Sequence, residues 1–128
     1  MELLLDTHIF LWFVDDNLKL SNHLKDLIED RNNSKYLSVA SLWEMSIKYS
    51  SGKLKLETSY EQFIEEEITQ TNLNLLHIKL EHLNIVSSLP FHHRDPFDRL
   101  IISQSMVEGM SIITVDSAFE QYPIKIIN

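Results

Sequence analysis

Short apolar runs alternate with helical patterns along this 128-residue chain, and that alternation leaves few architectures open to it. Residues 3–5, 36–39, 73–78 and 111–115 are runs of strand length, too short for independent helices. Between them lie segments with apolar residues at helical spacing. Residues 7–14 follow the first run, with Asp6 or Thr7 placed to cap a helix there. Ser21 caps a second segment carrying Leu24, Leu27 and Ile28. Residues 41–50 form a helix that stops near Gly52. Thr58 or Ser59 opens the next, with Phe63, Ile64 and Ile68 inward and Glu65, Glu66 and Glu67 mostly solvated. Residues 79–88 read as a helix after the third run. Asp95 fits an N-cap with Pro96 at the first helical position, and Gly109 ends that helix. Residues 124–127 add a fifth strand at an edge, since Pro123 precedes it. The order predicts a single domain over residues 1–128, a three-layer α/β/α sandwich with a mainly parallel central sheet of four to five strands.

Bulk properties narrow the function classes. The chain has no cysteine, which excludes disulfide and thiolate chemistry and suits a cytoplasmic location. The first apolar stretch is interrupted by Asp6 and His8, so it is expected to be neither a signal peptide nor a membrane span. A formal charge of -8 argues against broad contact with phosphates. Four carboxylates gathered in one site would account for half of that excess, and a bound cation would offset part of it.

In an open parallel sheet, ligands collect outside the carboxyl ends of the strands. Asp6 directly follows the first strand and Asp116 the fourth. Glu44 and Asp98 sit in the first turns of two helices whose starts face that same rim. Carboxylate oxygens are the preferred ligands of Mg²⁺ and Mn²⁺. Each acid also has a plainer explanation. Asp6 and Asp116 cap helices, and Asp98 complements a helix dipole. Glu44 completes a capping box with Ser41 or pairs with Lys48 one turn on. Capping explains why each acid is tolerated, but not why four share one rim, where like charges repel unless a cation or proton intervenes.

The segments LLLDTHIFLW (3–12), SVASLWEMSIKYSSGKL (38–54), PFHHRDPFDRLIISQS (90–105) and IITVDSAF (112–119) closely resemble the PIN-domain family, and within it the VapC-type toxins of bacterial toxin–antitoxin pairs. The resemblance runs from the first strand almost to the C-terminus, and PFHHRDPFDRLI is its most specific part. It matches Asp6, Glu44, Asp98 and Asp116 to the family's four acids. Asp95 is the alternative for the third, but Asp98 opens the apolar helical run and fits better. The resemblance implies an endoribonuclease that uses Mg²⁺ or Mn²⁺ and acts on RNA such as tRNA. It also implies a small antitoxin partner and a homodimer, for which an apolar patch on the first helices is the expected interface. Ions held by Asp6, Asp98 and Asp116, with Glu44 at a second ion or a water, would polarise the phosphate and activate water for in-line attack.

Other residues have secondary roles. Thr114 lies two positions from Asp116 on a strand and so faces the same side, where it steadies the site or is an ordinary strand threonine. Thr7 and Ser117 are candidates to bond carboxylates, with helix capping the simpler account. Lys48, Lys53, Arg94 and Arg99 flank the acids as candidate RNA-phosphate contacts, against surface pairing of Arg99 with Asp95 and of Lys48 with Glu44. His92 and His93 are candidates for RNA contact or proton transfer, against loop histidines without a role. Trp12, Phe13, Trp43 and Phe97 read as core or interface residues rather than base-stacking platforms. An aspartyl-phosphate enzyme with Asp6 as nucleophile fits less well, because the acid such enzymes place two residues later is here His8. An RNA-processing nuclease without an antitoxin and a silent binding module are the remaining readings; retention of all four acids speaks against the silent one.

Overall fold

The computed structural model describes residues 1–128. Strands β1 (Glu2–Leu5), β2 (Ser34–Ser38), β3 (Asn74–Leu76), β4 (Ser111–Ile113) and β5 (Ile126–Ile127) join one sheet in the order β3-β2-β1-β4-β5. Every pairing is parallel, with Leu5 opposite both Leu37 and Ile113 at the centre. Helices α1 (Thr7–Val14) and α2 (Asn22–Glu29) connect β1 to β2, and α3 (Val39–Ser50) and α4 (Tyr60–Thr71) connect β2 to β3. Helices α5 (Leu80–Val86) and α6 (Pro96–Glu108) lead to β4, and a 3-10 helix (Ser117–Gln121) leads to β5.

The period-2 alternation of β1 divides the core. Leu3 and Leu5 pack with Ile9, Phe10, Leu24, Ile28 and Met45 on one face of the sheet. Leu4 packs with Ile101, Ile102, Phe119 and Tyr122 on the other. With α1–α4 over one face and α5–α6 over the other, the three layers are those expected. No helix is long and apolar enough to cross a membrane.

Local signals place most helix ends. Ser21 accepts from Leu24 N at 3.3 Å, Ser59 from Gln62 N at 3.2 Å, and Asp95 from Phe97 N at 2.8 Å and Asp98 N at 3.1 Å. Gly109 ends α6 at φ 70, the left-handed conformation that costs a glycine least. The start of α3 differs from expectation. Ser38 is the cap, accepting from Ala40 N at 3.0 Å, and the helix begins at Val39. Ser41 is therefore already inside the helix, and the Ser41–Glu44 capping box does not form. The third and fourth strands are also shorter than their apolar runs.

The strand order creates a crevice. From β1 the chain winds outward through β2 to β3, then returns to lay β4 on the other side of β1. The carboxyl ends of β1 and β4 thus flank a topological switch point, where such sheets bind ligands.

Candidate active site

Asp6 is the first residue past β1, and its amide still pairs with Ile113 O at 3.0 Å, so it stands beside Thr114 at the end of β4. It occupies the N-cap position of α1, yet its side chain makes no capping bond. Thr114 Oγ1 instead donates to Asp6 Oδ2 at 2.8 Å and accepts from Asp116 N at 3.1 Å, linking two of the acids through one hydroxyl. Asp116 does cap the 3-10 helix, accepting from Ala118 N at 3.0 Å. Capping accounts for Asp116 in part and for Asp6 not at all.

Glu44 reaches the same place from α3. It is buried, and Oε2 accepts from Lys48 Nζ at 2.8 Å, so the helical pairing holds while the capping box fails. α3 meets the start of α6 through an edge-to-face contact of Trp43 with Phe97, ring centroids 5.0 Å apart, which brings the Glu44 turn against the Asp98 turn. Beneath, Thr7 Oγ1 donates to Ser41 Oγ at 2.8 Å, tying the start of α1 to α3. The Thr7 hydroxyl is thus turned to Ser41 rather than to a carboxylate. Ser117 is exposed.

The four acids act on one another. Burial raises the Asp98 carboxyl, and the charges of Asp6, Asp95, Glu44 and Asp116 push it further, to about 8. Burial likewise raises Asp6, against the lowering effects of the Thr114 hydrogen bond and the nearby His8, with Glu44 adding to the rise. Asp6 and Glu44 form a buried floor, whereas the Asp116 side chain at the mouth is 43% exposed. Asp6 Oδ1 and Glu44 Oε1 are buried without any hydrogen-bond partner. Such oxygens are costly unless a cation or donor meets them. This donor set, all carboxylate oxygen on the floor and with two unspent acceptors, fits a hard divalent ion such as Mg²⁺ or Mn²⁺.

The basic candidates separate. Arg99 is buried, and its guanidinium donates to the carbonyls of Leu89 and Pro90 at 2.9 Å and of His93 at 3.2 Å. It pins the loop before α6 and does not pair with Asp95, because an internal site with several carbonyls satisfies its fork of donors. Lys53, His92 and Arg94 remain exposed, and Lys48 is half-exposed beside Glu44. Trp12 and Phe13 pack on the core as expected, but Trp43 is 58% exposed at the rim of the site.

His93 sits among the acids rather than at the edge. Its Nε2 hydrogen-bonds Asp116 Oδ2 at 3.0 Å and lies 3.0 Å from Asp98 Oδ2. The sequence carried no signal for this, since Asp116 comes from the far side of α6 and β4.

The PIN-domain family profile matches residues 3–125. The chain belongs to the PIN-domain family. PIN domains are nucleases. Among solved structures, the chain is similar to VapBC2 from Rickettsia felis bound to a DNA fragment from the promoter, with TM-score 0.75 and 19% identity over 100% of this chain and 98% of that one. It is also similar to VapBC-1 from nontypeable Haemophilus influenzae, with TM-score 0.68 and 20% identity over 100% and 98%. A toxin–antitoxin complex from Klebsiella pneumoniae gives TM-score 0.62 and 16% identity over 98% and 95%. At such identities the likeness is one of fold. No curated protein matches the sequence significantly.

Proposed function

We propose that this PIN domain is a metal-dependent endoribonuclease and the toxin of a toxin–antitoxin pair. The observation that carries the nuclease reading is the convergence of Asp6, Glu44, Asp98 and Asp116 at the switch point, with Asp6 Oδ1 and Glu44 Oε1 buried and unpartnered. Asp6, Asp98 and Asp116 hold Mg²⁺ or Mn²⁺, and Glu44 contributes from the floor. When bound, the ion supplies a Lewis acid and charge neutralisation at the phosphodiester. Thr114 fixes the rotamer of Asp6. Lys48, Lys53 and Arg94 neutralise backbone phosphates around the acidic crevice, whose own charge otherwise repels RNA, and His92 is a further RNA contact.

The toxin role is supported by the toxin–antitoxin complexes among the structural neighbours. It implies a short antitoxin that covers the crevice. A homodimer belongs to the same reading. Its apolar contacts would come from the first helices, where Leu11, Trp12, Phe13 and Val14 of α1 are only partly buried and Leu18 after it is exposed.

The test is RNA cleavage by the purified chain, with tRNA as substrate, in Mg²⁺ or Mn²⁺, in EDTA, and in the variants Asp6→Asn and Asp98→Asn. Metal-dependent cleavage that falls by about 10²-fold or more in each variant is expected, as for loss of a group that stabilises transition-state charge. Cleavage that survives EDTA, or persists in both variants, overturns the mechanism. Expression in bacteria should arrest growth, and co-expression of a small neighbouring gene should relieve it; failure of both removes the toxin role.

A further inference from the structure

His93 is held by its backbone and by its ring. Its backbone amide donates to Tyr122 Oη at 2.8 Å. The ring stands edge-to-face on Phe119 with centroids 5.4 Å apart. Asp95 N donates to Nδ1 at 3.2 Å. That last contact decides the chemistry of the ring. A nitrogen that accepts a backbone N–H carries no proton of its own, so the neutral ring bears its hydrogen on Nε2. Nε2 faces Asp116 Oδ2 and Asp98 Oδ2, each at 3.0 Å, within a group whose three ligand-type atoms lie inside 4.8 Å.

We propose that His93 is a positioning residue of the metal site: its Nε2–H is a fixed donor that holds Asp116 Oδ2 and draws in Asp98 Oδ2, leaving Asp98 Oδ1 and the lone pair of Asp116 Oδ1 not used by Ala118 N for the ion. The inference rests on the metal-dependent reading above and deepens it. The same geometry argues against His93 as a ligand. A ligating imidazole offers an unprotonated nitrogen to the metal and donates from the other. Here the other nitrogen, Nδ1, faces a backbone donor. Asp95 thereby acquires a second role, since its side chain caps α6 while its amide sets the tautomer of His93. The Asp95–Asp98 spacing and the histidine two residues before Asp95 are thus parts of one device.

The test is Mn²⁺ binding to the full chain, followed by calorimetry and by the paramagnetic resonance of the bound ion. His93→Phe keeps a ring against Phe119 and removes the donor, and His93→Gln restores an N–H near the Nε2 position. Expected is about 10- to 100-fold weaker Mn²⁺ binding in His93→Phe, the range seen when a partner that orients a ligand is lost, with most of it recovered in His93→Gln. The wild-type Mn²⁺ spectrum should show no directly coordinated nitrogen. Nitrogen NMR of the metal-free protein should show the His93 proton on Nε2, a readout that needs no variant to fold. Equal affinity in wild type and His93→Phe, no recovery in His93→Gln, a coordinated nitrogen, or a proton on Nδ1 would each overturn the assignment. Absence of Mn²⁺ binding in the wild type would instead remove the metal-dependent reading beneath it.

Discussion

Thr114 Oγ1 donates a 2.8 Å hydrogen bond to Asp6 Oδ2, joining residues 108 apart in the chain at the carboxyl ends of adjacent strands. Both side chains are buried, at 1% and 3% exposure, so neither exchanges its partner for water. The bond aligns the acid that the α1 cap position would otherwise claim. It also makes Thr114 the only hydroxyl shared between Asp6 and the Asp116 amide among the contacts at this rim.

Replacing Thr114 by valine keeps the shape and removes the hydroxyl. Asp6 Oδ2 is then buried without a donor, at a cost of about 1–3 kcal/mol. Urea denaturation should show that loss, and RNA cleavage should fall as Asp6 loses its fixed rotamer. Thr114→Ser should restore most of both. Equal stability of Thr114→Val and wild type would show that the bond contributes nothing net.

Asp98 makes the metal-free protein sensitive to alkali in an unusual direction. Its carboxyl titrates at about 8 in the folded chain against an ordinary value of 3.8. Between those values the folded state binds more protons than the unfolded state, so stability falls as pH rises through the window. In EDTA, the melting temperature should drop between pH 5 and pH 8 by several degrees beyond that of Asp98→Asn. Saturating Mg²⁺ or Mn²⁺ should abolish the difference by compensating the charge. A metal-free melting temperature that rises with pH, relative to the variant, would contradict the clustering.

Arg99 should matter for stability and only indirectly for RNA. Arg99→Met leaves the carbonyls of Leu89 and His93 without their donor and that of Pro90 with only the Tyr122 hydroxyl, and it loosens the loop that carries His93. A loss of about 3 kcal/mol or more is expected, as for other broken buried charged networks. Arg99→Lys should recover little of it, because one ammonium does not reproduce the guanidinium fork. Chemical denaturation checks both. A variant as stable as wild type but weaker in RNA affinity would return Arg99 to the RNA contacts.

Glu44 and Lys48 form a 2.8 Å pair between a side chain 7% exposed and one 35% exposed. Glu44→Gln should lower metal-supported cleavage by about 10-fold or more while leaving the fold intact. Lys48→Met should weaken RNA binding modestly and lower its salt dependence by about one phosphate contact. If Glu44→Gln cleaves as wild type does, Glu44 is only the partner of Lys48.

Much of this protein was legible because its signals are local. Asp95–Pro96 and Gly109 bound α6 by their own backbone preferences, and Ser21 and Ser59 cap helices wherever the rest of the chain lies. The alternation of short apolar runs with helical segments required a parallel three-layer sheet, since such strands bury both faces. Placement of Asp6 directly after β1 followed from the same pattern, whereas β4 stops at Ile113 and leaves Thr114 and Val115 between the strand and Asp116.

Tertiary structure decided what depends on neighbours distant in sequence. Ser38 rather than Ser41 caps α3 because β2 pairs with β3 as far as Ser38 opposite Leu76, and the helix starts where that ladder stops. Only the packed chain shows that Asp6 caps nothing, that Arg99 turns inward onto loop carbonyls, and that His93 stands between Asp98 and Asp116. Sequence spacing sets which face of an element a side chain occupies. The partner it meets there, and hence its charge state and its role, is set by the sheet order that lays β4 against β1.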